Sequence, residues 1–79
     1  MKESVKVSIY LYGELKDKIT DDKIILELDP DTTIHRLLIR LNLQLDEVII
    51  TLVNGKAIPL DYILLNNDRV DIFPPLKGG

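Results

Sequence analysis

The 79-residue sequence contains no cysteine, which excludes disulfides, thiolate metal sites and cysteine nucleophiles. It has a single histidine, His35, so a multi-histidine metal site cannot be built within one chain and no metal is expected. Basic residues are in the minority, with 10 Lys and Arg against 13 Asp and Glu for a net charge of −3. A nucleic-acid binder would carry a basic footprint, and anionic lipid attracts basic segments, so neither nucleic acid nor membrane is expected as a partner. No apolar run approaches the roughly 20 residues needed to span a bilayer. Met1-Lys2-Glu3-Ser4 lacks the apolar stretch of a signal peptide, and a cytoplasmic protein is the expectation. There is no Gly-x-x-x-x-Gly-Lys loop to cradle a phosphate. Tyr10, Tyr12 and Tyr62 read as too scattered for a base-stacking platform. Repeats and low-complexity segments are absent as well.

What is present fits one small globular domain. Hydrophobic residues make up 46% and charged residues 29% of the chain, which separates it from disordered sequences. A chain of this length buries only about 60–65% of its unfolded surface, so one sheet covered by one helix is nearly the limit.

Periodicity supplies those elements. Val5, Val7, Ile9 and Leu11 alternate with Lys6, Ser8, Tyr10 and Tyr12, the period of a strand. Gly13 and the charged stretch to Lys18 interrupt it as a turn or loop. Lys23 to Leu28 alternates again, with Ile24, Leu26 and Leu28 on one face. Asp29-Pro30-Asp31-Thr32-Thr33 supplies helix-start chemistry, with Asp31 or Thr32 as the cap. Ile34, Leu37, Leu38 and Leu41 then form one apolar stripe of a helix ending near Asn42. The β-branched run Val48 to Val53 reads as a buried strand. Asn54-Gly55 suits a type I′ hairpin, which brings Lys56-Ala57-Ile58 back alongside. Asn66-Asn67-Asp68 marks another turn, and Arg69 to Phe73 a last strand with Val70 and Ile72 inward. The order is strand, strand, helix, strand, short strand, strand: an α+β arrangement with one sheet face covered and the other wet. By element order it matches the β-grasp (ubiquitin-like) fold, a mixed sheet of four to five strands on one main helix, although several small α+β folds share that order.

No conventional catalytic constellation emerges. His35 falls off the apolar stripe beside Arg36 and reads as a solvated surface histidine. Asp21-Asp22 and Asp29/Asp31 lie in turns and caps, where structural roles explain them better than acid–base work. Arg36 and Arg40 are an i, i+4 pair on a solvated helix face. The chain is not expected to be an enzyme by itself.

The C-terminal segment Phe73-Pro74-Pro75-Leu76-Lys77-Gly78-Gly79 is the informative one. Average glycine usage of roughly 7% makes a terminal Gly-Gly an event of about one chain in 200. Glycine has no Cβ, so the tip is as slim and pliant as peptide can be, and it ends in a carboxylate at neutral pH. Such a tip can be a frayed terminus, or a reagent that enters a narrow channel in another enzyme. The preceding prolines favour the second. Pro75 holds Pro74 extended, the pair prefers polyproline geometry, and a missing ladder donor ends strand pairing. Residues 1–73 are therefore expected to form the domain and residues 74–79 a flexible tail, which reaches at most about 20 Å when extended.

At this point a resemblance is plain over nearly the whole length. Tyr12 and Leu15, Val53-Asn54-Gly55, Leu60-Asp61, Asp68, and above all Val70-Asp71-Ile72-Phe73-Pro74-Pro75 with Gly78-Gly79 resemble the small subunit of molybdopterin synthase and the related thiamine-biosynthesis sulfur carrier. Phe-Pro-Pro resembles the molybdopterin branch more. Asn66-Asn67-Asp68 stands where Gly-Asp is common, and Lys77 where a small residue is common. The resemblance implies that the Gly79 carboxylate is adenylated with ATP by an activating enzyme and converted to a thiocarboxylate. The thiocarboxylate then gives its sulfur to the pterin precursor in a large synthase subunit. It implies no bound cofactor, ATP being used by the activating enzyme. Gly78 and Lys77 would thread the tail, and Phe73, Pro74, Pro75 and Leu76 would form the partner-binding stem. Thiamine synthesis, tRNA thiolation or attachment to proteins as a modifier are the alternatives that share this tail.

Overall fold

The computed structural model describes residues 3–18, 23–43 and 50–74. Strands β1 (Val5–Leu11), β2 (Lys23–Leu28), β3 (Ile50–Val53), β4 (Lys56–Ala57) and β5 (Arg69–Phe73) form one sheet in the order β2-β1-β5-β3-β4. The two central strands, β1 and β5, run parallel with Ile9 beside Val70 and Leu11 beside Ile72; all other pairings are antiparallel. Helix α1 (Ile34–Arg40) sits between β2 and β3 in sequence and covers one face. The mixed β-grasp sheet of four to five strands expected from the sequence is therefore present, with five strands.

Alternation explains the layers. Val7, Ile9 and Leu11 of β1 and Val70 and Ile72 of β5 point to the helix side and are buried, as are Ile34, Leu37 and Leu38 of α1. Burying each such side chain is worth about 1.5–3 kcal/mol. On β2, Leu28 is buried and Ile24 and Leu26 pack against the core, while Ile25 on the other face is 51% exposed.

Four local expectations need correction. Gly13–Lys18 is a 3₁₀ helix rather than a loop, and its Leu15 is buried against the core, the apolar anchor that makes the segment regular. The helix cap is Thr33, not Asp31 or Thr32: the Thr33 hydroxyl accepts from the Arg36 N–H at 3.2 Å. Asp31 adopts a left-handed φ of 69°, and Thr32 donates to the Asp29 carbonyl, so both are used in the preceding turn. Strand β3 is not buried throughout; Thr51 and Val53 face the core while Ile50 is 45% exposed. Residues 48 and 49 of that expected strand lie outside the described residues. Finally, Tyr10 and Tyr12 are brought together on the open sheet face, with Tyr62 elsewhere.

The remaining turns form as the sequence predicts. Asn42 at φ 61° closes α1, with the Asn42 N–H on the Ile39 carbonyl and the Leu43 N–H on the Leu38 carbonyl, a Schellman ending whose Leu43 is buried. Asn54 and Gly55 have φ of 53° and 86°, both positive as a type I′ turn demands. Asn67 takes φ 70° in the turn before β5. That turn is tied down by Asp68, whose carboxylate accepts from the Asn54 amide, the Tyr62 hydroxyl and the Leu65 N–H at 2.8–3.0 Å.

Candidate functional site

Strand β5 is central in the sheet and delivers the chain to Phe73 and Pro74. Its inward residues belong to the core, so Arg69, Asp71 and Phe73 face the open side. Register places Tyr10 and Leu52 beside Asp71, and Ile50 beside Phe73. Phe73 is half-buried and stacks on Tyr12 with ring centroids 4.5 Å apart and planes 10° from parallel. The Tyr12 hydroxyl donates to Asp71 Oδ1 at 2.7 Å, and the Arg69 guanidinium donates to the same oxygen at 3.3–3.4 Å. Arg69 also lies 4.1 Å from the centroid of the Tyr10 ring.

This network has electrostatic consequences. The hydrogen bond to Asp71, followed by burial, raises the Tyr12 phenol above its ordinary range, because ionising it would break the bond and oppose two anions. The Arg69 guanidinium is held charged more firmly still, chiefly by its bond to Asp71. The face is thus aromatic and aliphatic at its rim, with one neutralised ion pair at its centre. Such a surface can dock another protein without leaving a charge unpaired.

Pro74 follows β5 without joining the ladder. Its ring lies over Gly13: a Cβ placed on Gly13 would sit 2.8 Å from Pro74 Cγ. The stem residues Phe73 and Pro74 are therefore gathered at the end of β1, against Tyr12 and Gly13. Pro75, Leu76, Lys77, Gly78 and Gly79 lie outside the described residues. Sequence reasoning missed Tyr12 and Asp71 as site residues; a lone carboxylate inside the apolar alternation Val70-Asp71-Ile72 was the available signal.

The remaining polar candidates of the sequence lie on and beside α1. His35 and Arg36 are exposed on α1, and Arg40 donates to the Glu27 carbonyl. An open groove of about 460 Å³ beside them is lined by Asp29, Asp31, Arg36, Ile39 and Arg40 among others. Among the described residues no group of three or more His, Cys, Asp or Glu could hold a metal ion, and no helix is long and apolar enough to cross a membrane.

A sequence profile of the ThiS family matches residues 9–79, all of the chain but its first eight residues. The chain belongs to the ThiS family. Members are small ubiquitin-like sulfur carriers and modifiers. Solved structures agree on the fold. Small archaeal modifier protein 1 of Haloferax volcanii is 21% identical with a TM-score of 0.78, the match covering 91% of this chain and 99% of that one. A putative molybdopterin converting factor subunit 1 from Pyrococcus furiosus is 21% identical with a TM-score of 0.78, over 92% of this chain and all of that one. A Helicobacter pylori chain, from a complex of subunits 1 and 2 of molybdopterin-converting factor, is 18% identical with a TM-score of 0.66, over 95% and 100%. No curated protein matches by sequence.

Proposed function

We propose that this ThiS-family chain is a sulfur carrier whose reacting group is the Gly79 carboxylate, and that it serves synthesis of the pterin cofactor of molybdenum or tungsten. The family match that runs through Gly79 carries the reading. Phe73-Pro74-Pro75 and the likeness to converting-factor subunits favour the pterin branch.

The chemistry follows from the carboxylate. It is a poor electrophile, so an activating enzyme lets its oxygen attack the α-phosphorus of ATP and expels pyrophosphate. The mixed anhydride with AMP has a good leaving group. Hydrosulfide, or a sulfur donor equivalent to it, adds to the carbonyl carbon, AMP departs, and a thiocarboxylate remains. In the large synthase subunit that sulfur is passed to the pterin precursor. The chain itself supplies the reagent and is not the catalyst; bases and phosphate contacts belong to its cytoplasmic partners. It binds no cofactor, the ATP being held by the activating enzyme. Gly78 and Lys77 thread the channel, and Phe73, Pro74, Pro75 and Leu76 form the stem that partners grip, alongside the open face of Tyr10, Tyr12 and Leu52.

Incubation with the activating enzyme, ATP and sulfide is expected to replace one oxygen of Gly79 by sulfur, read by intact-mass and fragment spectrometry. Deleting Gly79 moves the carboxylate back by roughly 3.5 Å and is expected to abolish the reaction without changing the melting temperature. An unmodified wild-type protein, or a fully active deletion, would reject the proposal. The likeness to the Haloferax modifier supports a second reading, attachment to lysines, which predicts conjugates of higher mass in cells and no sulfur transfer with a large synthase subunit.

A further inference from the structure

We infer that Gly13 is a positioning residue that sets the direction in which the chain leaves Pro74; the consequence for reaction rests on the function proposed above. Two glycines among the described residues take positive φ, and they differ in what surrounds them. Gly55, at φ 86°, has nothing within 4 Å of the place a Cβ would take. It serves its turn alone. Gly13, at φ 59°, would place a Cβ 2.8 Å from Pro74 Cγ and 3.4 Å from Pro74 Cδ. A ring atom cannot swing aside as the end of a flexible side chain does.

Ordinary contact begins near 3.4 Å, so a Cβ on Gly13 would push Pro74 out by about 0.6 Å (3.4 − 2.8). The neighbouring residues prevent the stem from yielding as one body. Phe73 is stacked on Tyr12, Tyr12 is bonded to Asp71, and the Tyr12 N–H donates to the Ile72 carbonyl at 3.2 Å. With Phe73 fixed, the displacement falls on the Phe73–Pro74 junction and turns the chain beyond it. The five residues from 75 to 79 span at most about 18 Å, so the point and direction at which they leave Pro74 limit where the reacting carboxylate can reach. A misplacement of about 1 Å at a reacting centre can cost on the order of 100-fold in rate.

Gly13→Asn separates space from backbone freedom, because asparagine tolerates left-handed φ but adds a Cβ. Gly55→Asn is the matched control. In adenylation of the folded protein by its activating enzyme, Gly13→Asn is expected to lower kcat tenfold or more with KM little changed, whereas Gly55→Asn leaves both unaltered. Combining Gly13→Asn with Pro74→Ala, which removes Cγ, is expected to give the rate of Pro74→Ala alone. Wild-type kcat in Gly13→Asn, or two losses that simply multiply, would overturn the inference.

A second reading is independent of the enzyme. Since the sequence has no cysteine, a spin label on Lys77→Cys is unique, and its broadening of domain amides maps where the tail points. That map is expected to shift with Gly13→Asn and to stay in place with Gly55→Asn. An unchanged map with Gly13→Asn would overturn the positioning role even if the wild type is adenylated. A shifted map in a protein that is never adenylated would leave the geometry standing and reject the sulfur-carrier function instead.

Discussion

Asp68 and Asp71 stand three residues apart, and both are almost fully buried, at 5% and 7% exposure. Asp68 precedes β5 and binds three donors from two places in the chain: the hairpin through Asn54, and the long loop through Tyr62 and Leu65. Asp71 lies inside β5 on the open face and takes Tyr12, which stacks on the stem residue Phe73, and Arg69, which lies over the Tyr10 ring of the same face. One carboxylate closes the fold; the other organises a surface. Burial alone does not tell a structural acid from one at a site. What matters is where its donors lead.

The largest effect is expected at Asp68. Asp68→Ala leaves a main-chain N–H, an amide and a hydroxyl without their acceptor. Bonds to charged groups are worth about 1.5–3 kcal/mol each, and water reaches the exposed Asn54 and Leu65. A loss of about 3 kcal/mol is expected in urea unfolding, which lowers the melting temperature by roughly 10–25 °C for a domain of this size. Residual folded protein should still be adenylated at the normal rate. A loss under about 1 kcal/mol would show that the turn before β5 holds without its acid.

How much of this could be read in the sequence depends on the distance between partners. The strands, the α1 stripe and the Asn54-Gly55 turn were legible because each depends on residues within a few positions of one another. The Phe73-to-Gly79 segment was legible because its chemistry is local too. The cap at Thr33 was missed by one or two residues, since Asp31, Thr32 and Thr33 all have capping chemistry and only the Asp31 φ decides among them. The Tyr12–Asp71 bond and the Gly13–Pro74 contact join residues about 60 positions apart. Periodicity by itself does not announce the parallel pairing of β1 with β5; only the likeness of the element order to a β-grasp mixed sheet implied it, and that pairing is what assembles the site.

Phe73 belongs to the surface that Asp71 organises. It is half-buried, so Phe73→Ala should cost about 1–2 kcal/mol, below the 3–5 kcal/mol of a fully buried Phe, including about 0.5–1.5 kcal/mol for the lost stack on Tyr12. Affinity for the activating enzyme, measured by calorimetry, should fall by tenfold or more. Asp71→Ala should behave alike, chiefly through the lost acceptor of the Tyr12 hydroxyl, because the Arg69 side chain is 53% exposed and such pairs contribute little. Unchanged affinity in both variants would move the partner surface off the open face, whereas a stability loss of 3 kcal/mol in Phe73→Ala would make it a core residue.

The smallest effect separates the two acids by pH. Tyr12 and Tyr62 both have phenols raised above the ordinary value, Tyr12 mainly by its bond to Asp71, Tyr62 mainly by burial and then by Asp68. A raised folded pKa means that above about pH 10 the unfolded chain has lost protons the native chain keeps. Stability from these groups is therefore complete below about pH 10 and declines as pH rises through the folded values. Tyr12→Phe with Tyr62→Phe should flatten that decline in urea titrations; an equal decline in the double variant would assign it to other groups. Phenolate absorbance then distinguishes the causes. Asp71→Ala should return Tyr12 towards its ordinary range, since the cause that leads is removed. Asp68→Ala, read at a temperature where the protein is folded, should lower Tyr62 only in part, because burial persists. Full normalisation of Tyr62 in Asp68→Ala would mean that the acid, and not the burial, sets that tyrosine, and the two carboxylates would then act on their phenols in the same way.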